Sequence, residues 1–232
     1  MNYLQLVQAL QRLLRATVDK LGDAPTTVRN QTGINDELVF FVRQAWLDIQ
    51  NSHPGWRFLW REGLLTLPLG SDVVSPATLA DYGAPILAES EERRFITLRG
   101  SPTESESPVA FVPFPAFQQS TIDRGTRGPG QPSRFTILPD GRLRFDALAD
   151  RAYTVRLNYR RTPQTLVDDA DIPLCAERYR MAIVWWAIVR YYCTTRDGAE
   201  RFRQKAMVEL QREMQKLNNN EVMEALIPEG ML

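Results

Sequence analysis

Tyr153-Thr154-Val155-Arg156-Leu157-Asn158-Tyr159-Arg160-Arg161-Thr162-Pro163 is the stretch on which the reading of the fold turns. Tyr153, Val155, Leu157 and Tyr159 fall on one side of an extended chain, and Thr154, Arg156, Asn158 and Arg160 on the other. That period of two describes a strand with one dry and one wet face, as in an antiparallel sheet. At Thr162-Pro163 the pattern stops. Asp168, Asp169 and Asp171 then form a polar turn closed by Ile172-Pro173. From about Ala176 to Thr195 the spacing becomes helical, with Ile183, Val184, Trp185, Trp186, Ile188 and Val189 leaving almost no polar side. A helix apolar all round belongs at the centre of a helical assembly.

Toward the N-terminus the strand chemistry continues. Arg134 to Pro139 and Arg142 to Phe145 flank Asp140-Gly141, a pair that signals a two-residue type I′ hairpin turn. Arg93 to Arg99 and Leu64 to Leu69 read as further short strands, and the alternation of Trp56, Phe58 and Trp60 with Arg57, Leu59 and Arg61 suits another. Ser101 to Ser107 and Arg124 to Pro132 have loop composition. Before Ser52-His53-Pro54-Gly55, the helical period returns. Leu38, Val42, Ala45, Trp46 and Ile49 form one stripe, with Asn35 as the expected N-cap and Asp36 and Glu37 at the positive end of the helix dipole. Tyr3, Val7, Leu10 and Leu14 form another, ended by Leu21 to Pro25. The last helix is expected over about Ala199 to Leu217, with Phe202, Ala206, Leu210 and Met214 inward and Asn218-Asn219-Asn220 stopping it.

The order is two helices, strands, then two helices. It predicts an α+β protein in which a four-helix bundle from the N- and C-terminal helices carries an inserted antiparallel β region. The expected boundaries are 1–62 and 163–217 for the bundle, 63–162 for the β domain with its long loops, and 218–232 for a C-terminal tail.

The 232 residues are 44% hydrophobic and 24% charged, a globular composition. Formal net charge is zero from 28 basic and 28 acidic residues, which argues against a dedicated nucleic-acid or acidic-membrane binder. Only Lys20, Lys205 and Lys216 are lysines. The arginine bias reflects either base composition or interface chemistry, since arginine makes planar bidentate contacts. The longest apolar run, Met181 to Val189, is far short of the roughly 20 residues that cross a bilayer. No signal peptide is expected, because Met1-Asn2-Tyr3-Leu4 has no basic region, and synthesis in the cytoplasm follows. Cys175 and Cys193 bracket one helix and read as free thiols.

Enzyme chemistry is not expected. His53 is the only histidine, at a helix end where an imidazolium would suit the dipole, so any histidine-dependent nucleophile must use it. Zinc ligands are too few. Asp169-Ala170-Asp171 fails as a calcium loop at Pro173, and Gly125 to Gly130 lacks the Lys-Ser/Thr of a phosphate loop. No cofactor or metal is expected. A hydrolase using exposed carboxylates such as Glu91-Glu92 stays open.

Three stretches have binding chemistry. The tail sets Val222, Met223, Leu226, Ile227, Met231 and Leu232 in an acidic peptide, either a partner-binding segment or a frayed end. Arg201, Lys205, Arg212 and Lys216 lie on the outer face of the last helix, either solvated or in contact with another subunit. Arg124, Arg127 and Arg134 surround a loop that could meet DNA phosphate, a protein, or only water.

A series of short motifs runs through the chain: Asn30-Gln31-Thr32-Gly33, Ala45-Trp46-Leu47-Asp48-Ile49-Gln50, Trp56-Arg57-Phe58, Tyr159 to Pro163, Asp171-Ile172-Pro173 and Trp185-Trp186. Their order resembles the head-to-tail adaptor proteins of tailed bacteriophages, with the weakest match between about residues 70 and 132. The resemblance implies a virion protein of the neck, assembled as a dodecameric homo-oligomer ring beneath the portal. Such a ring extends the DNA channel for packaged DNA, which passes without sequence preference, and supplies a platform for tail or nozzle proteins. It also implies portal contact by the tail residues and the last helix, and tail-side contact by the β loops, with no membrane partner. The alternatives are a stopper or tail terminator, or a nucleic-acid-binding module relying on Arg124, Arg127 and Arg134.

Overall fold

In a computed structural model, residues 1–15, 21–85, 96–124, 128–195 and 200–221 are described. Helices α1 (Tyr3–Leu14) and α2 (Ile34–Ser52) come first. Strands β1 (Trp60–Leu67), β2 (Val73–Val74), β3 (Tyr82–Pro85), β4 (Ile96–Arg99), β5 (Ser107–Pro108) and β6 (Ala110–Phe111) follow. Helix α3 (Phe114–Arg124) then precedes β7 (Pro129–Gly130), β8 (Arg134–Ile137), β9 (Leu143–Phe145), β10 (Leu148–Ala149) and β11 (Tyr153–Arg161). Helices α4 (Met181–Thr195) and α5 (Glu200–Glu221) close the order. The fold is α+β. Contacts divide it into a helical unit, residues 1–59 and 163–221, and a β unit, residues 60–162.

In the helical unit α4 packs against α1, α2 and α5, and α1 also packs against α2. The nearly all-apolar sequence of α4 accounts for this: Ala182, Ile183, Val184, Ala187 and Ile188 are all fully buried. At the start of α1 the Asn2 side chain accepts the Gln5 N–H and the Gln5 side chain accepts the Asn2 N–H, each at 2.9 Å, a reciprocal cap that satisfies two otherwise orphaned donors. Tyr3 is buried, and its hydroxyl donates to the Val39 carbonyl at 2.8 Å. Burial, the main cause, pushes its pKa up to about 12.

Helix α2 corrects one expectation. Its N-cap is Gly33, at φ 58°, and Asn35 lies inside the first turn. The cap conformation falls in a region only glycine enters without strain, so backbone geometry overrides the side-chain capping preference of asparagine. At the other end Arg57–Leu59 is a 3-10 turn and no strand. The turn stacks Phe58 between Trp46 and Trp56, with both ring centroids 5.5 Å away. The Trp56 indole N–H donates to the Ile49 carbonyl at 2.6 Å. Two of the three aromatics at alternate positions, Trp56 and Phe58, thus serve a tight turn into the helical core, and the third, Trp60, begins β1. The Asn218 to Asn220 run does not stop α5, which continues to Glu221, with the Asn220 side chain donating to the Lys216 carbonyl at 2.8 Å.

The segment returning from the β unit is fastened by side chains. Gln50 is fully buried. Its Oε1 accepts the Gln164 N–H at 2.7 Å, and its Nε2 donates to the Gln164 carbonyl at 2.9 Å and the Trp46 carbonyl at 3.2 Å. The Gln164 Oε1 accepts the Trp46 indole N–H and the Leu174 N–H, both at 3.2 Å. Asp171 accepts the N–H groups of Val167 and Asp168 at 2.6 and 2.8 Å. Asp169 accepts the Val28 N–H at 2.5 Å, and Asp168 pairs with Arg29. The acidic turn is therefore a backbone clamp.

In the β unit β11 is the spine. It pairs antiparallel with β1 on one side, from Trp60↔Arg160 to Leu67↔Tyr153, and with β4 and β3 on the other. Tyr153, Val155, Leu157 and Tyr159 are buried, as the alternation predicts. A second sheet runs β2-β9-β8-β6, and β10 pairs with β7; the β6–β8 and β7–β10 pairs are short and parallel. Among the positive φ values of the chain is that of Gly141, 83°, and Asp140 has none, so the hairpin turn is not type I′. The Gly141 N–H donates to the Leu138 carbonyl at 2.8 Å, which places Pro139 and Asp140 at the centre of a type I turn with glycine in the bulge after it. Pro139, locked near φ −65°, selects that three-residue loop.

Candidate interaction surface

Helix α5 turns Ala206 and Leu217 into the core, and Phe202, Leu210 and Met214 are half-buried beside them. The opposite face carries Arg201, Gln204, Lys205, Val208, Gln211 and Arg212, all exposed, with Val208 62% accessible and Met207 42% on its flank. Of the four cations expected here, two are engaged along the helix: Lys216 reaches Glu213 at 2.6 Å and Arg212 reaches Glu209 at 3.9 Å. Such i, i+3 pairs along a helix, each with one exposed partner, contribute only a few tenths of a kcal/mol. Arg201 and Lys205 form no ion pair among the described residues. Arg201 sits in the first turn of α5, where the helix dipole disfavours a cation, so helix stability does not account for it.

A concavity of about 440 Å³ lies at the N-terminal half of α2, lined by residues including Asp36, Glu37, Phe40 and Arg43, with Val28 beside them and Thr194 at the end of α4. Phe40 is 44% exposed and meets Phe41 edge-on at 5.6 Å. Asp36 and Glu37 are exposed and make no ion pair among the described residues. This concavity was not among the sequence-level candidates. The signal was Phe40, a large aromatic off the inner stripe of α2 and next to two acids.

The remaining candidates separate. Arg134 belongs to β8, and its guanidinium lies 3.4 Å from Asp146. Burial would raise the Asp146 pKa, but the N–H groups of Arg134 and Ser133 and the Ser133 hydroxyl outweigh it and hold the carboxyl below the usual range. Arg134 is thus tied into the β unit. Arg124, the first residue of a stretch with loop composition, ends α3, a helix over residues for which no element was expected, and Arg127 lies outside the described residues. So do Val222, Met223, Leu226, Ile227, Met231 and Leu232. His53 is the C-cap of α2, at the helix end where it was expected, and its Nδ1 accepts the Gly55 N–H at 2.9 Å. Cys175 is a buried free thiol and Cys193 an exposed one. Among the described residues no group of His, Cys, Asp and Glu could hold a metal ion, and no helix is long and apolar enough to cross a membrane.

What the arrangement offers is a helix face with exposed cations around an apolar knob, and a concavity bearing acids and an exposed aromatic. A family model described as SU10 adaptor protein matches residues 1–226. No curated protein matches the chain.

Proposed function

The chain belongs to the SU10 adaptor protein family, and on that premise we propose that it is a structural, non-enzymatic head-to-tail adaptor of a tailed phage virion. The family match across residues 1–226 carries this reading. In it, copies of the chain form a dodecameric ring beneath the portal, the ring prolongs the DNA channel, and its far side receives tail or nozzle proteins. The four long helices act together as one bundle at the ring wall, and the segment 221–232 reaches the portal. Two physical features support a scaffold role. Formal net charge is zero, so a channel built from this chain would not hold sliding DNA through a net phosphate attraction. The helical unit also keeps apolar side chains in solvent at Phe40, Val208 and Met207.

The test is to mix the purified chain with the portal protein of the same genome and image the product by electron microscopy. A ring stacked coaxially on the portal is the expected result. Folded portal beside unassembled chain would overturn the portal-adaptor reading and point to a tail-side component. Removing residues 221–232 is expected to abolish portal binding while leaving helicity intact, and unchanged affinity would reject the role given to the tail.

A further inference from the structure

Two surfaces of the helical unit are unsatisfied in complementary ways. The outer face of α5 is convex and cationic, with Arg201 and Lys205 beside the exposed Val208. The face of α2 is concave and carries Asp36 and Glu37 beside the exposed Phe40, with Arg43 only half-exposed in its wall. Helix α4 packs against both α2 and α5. We propose that the α5 face of one copy docks into the α2 concavity of a second copy of this chain, with Val208 entering beside Phe40 and Arg201 and Lys205 meeting Asp36 and Glu37.

The inference rests on the ring reading and names the surfaces that would build it. Charge complementarity selects the occupant: the chain itself supplies, in Arg201 and Lys205, exposed cations with no ion pair among the described residues, to meet the exposed Asp36 and Glu37 of the concavity, which likewise make none among them. The two surfaces differ, so the contact is heterologous. Each copy that docks its α5 still offers an α2 concavity to the next, and a repeated contact of this kind closes into a ring or runs on as a filament. Helix dipole energetics argue the same way. The acids at the start of α2 are stabilising where they stand, whereas Arg201 at the start of α5 is not, and docking against carboxylates offsets that cost.

The test is a charge swap on the full chain. One variant carries Arg201→Glu and Lys205→Glu, and the other Asp36→Lys and Glu37→Lys. Melting of each is compared with the parent first. Assembly is followed by sedimentation and mass photometry, with and without portal protein. Either variant alone is expected to need at least about tenfold more protein for half-assembly. Mixing the two should restore assembly to within about threefold, because every interface of an alternating oligomer then joins opposite charges. If lysines in the first turn of α2 lower its melting temperature, Phe40→Ala replaces that variant and should weaken assembly by itself. A ring that forms as readily from the reversed chains as from the parent would overturn this inference and leave the ring reading standing. Equally decisive against it would be a mixture that stays unassembled while both variants melt like the parent. A parent chain that never self-associates, even on the portal, would overturn both.

Discussion

Replacing Gln50 by leucine removes hydrogen bonds while nearly conserving volume. The Gln50 side chain satisfies both backbone groups of Gln164, at 2.7 and 2.9 Å, and a third bond at 3.2 Å goes to its own helix. Leucine leaves the Gln164 N–H and carbonyl facing a hydrocarbon. Each lost bond is worth about 0.5–1.5 kcal/mol net, and each orphaned buried group costs about 1–3 kcal/mol. Gln164 is half-buried, so water reaches part of it, and the lower part of the range applies. For two backbone groups the expected loss is about 2–4 kcal/mol. Urea unfolding followed by tryptophan fluorescence is the assay, since Trp46 and Trp56 are fully buried beside the site. With a slope of about 2 kcal/mol per molar urea, the midpoint should fall by about 1–2 M. A shift below about 0.3 M would refute the claim that this glutamine fastens the returning segment to α2.

Gly83→Ala should destabilise the β unit by about 1–3 kcal/mol in the same experiment, because an added Cβ would come within 2.8 Å of the Arg160 carbonyl, part of a backbone that cannot move aside. The depressed pKa of Asp146 gives stability that is fully present above an unfolded-state pKa of about 3.9 and is lost as pH falls through the lower folded value. Asp146→Asn should therefore lower stability at neutral pH and flatten its acid-side decline, as read by melting between about pH 6 and 2. A thiol reagent should label one cysteine, Cys193, in the native chain and Cys175 only after denaturation, which peptide mapping would show.

Elements whose burial follows a simple period were legible from the chain alone. The alternation of β11 and the stripe of α1 emerge as drawn, because side-chain direction in a regular element depends only on position. The failures cluster where backbone geometry decides. Gly33 beat Asn35 as a cap through a conformation that no pattern of polarity reveals. Trp56, Phe58 and Trp60 alternate like a strand, but the first two belong to a stacked turn. Helix α3 hides because Pro113 and Pro115 at its start resemble loop chemistry, although proline is tolerated in a first helical turn. For the candidate surface, the cations of α5 could be read from charge periodicity. The α2 concavity left only Phe40 beside Asp36 and Glu37 as its signal, since its shape depends on how Val28 and Thr194 come to stand beside α2.

The register of β1 against β11 has a consequence in chain statistics. Trp60 and Arg160, near the two ends of an insert of about a hundred residues, are direct antiparallel partners, which places their Cα atoms about 5 Å apart. To the helical unit, an unfolded insert is a long loop whose ends must be brought together, and a zipped one behaves as a short turn. Loop-closure entropy scales with the logarithm of length, so the difference between about a hundred residues and about four is roughly 3 kcal/mol. The β unit thereby lends the helices stability through connectivity alone, and a chain joining Leu59 to Pro163 by a short turn would inherit the same entropic advantage without any strands.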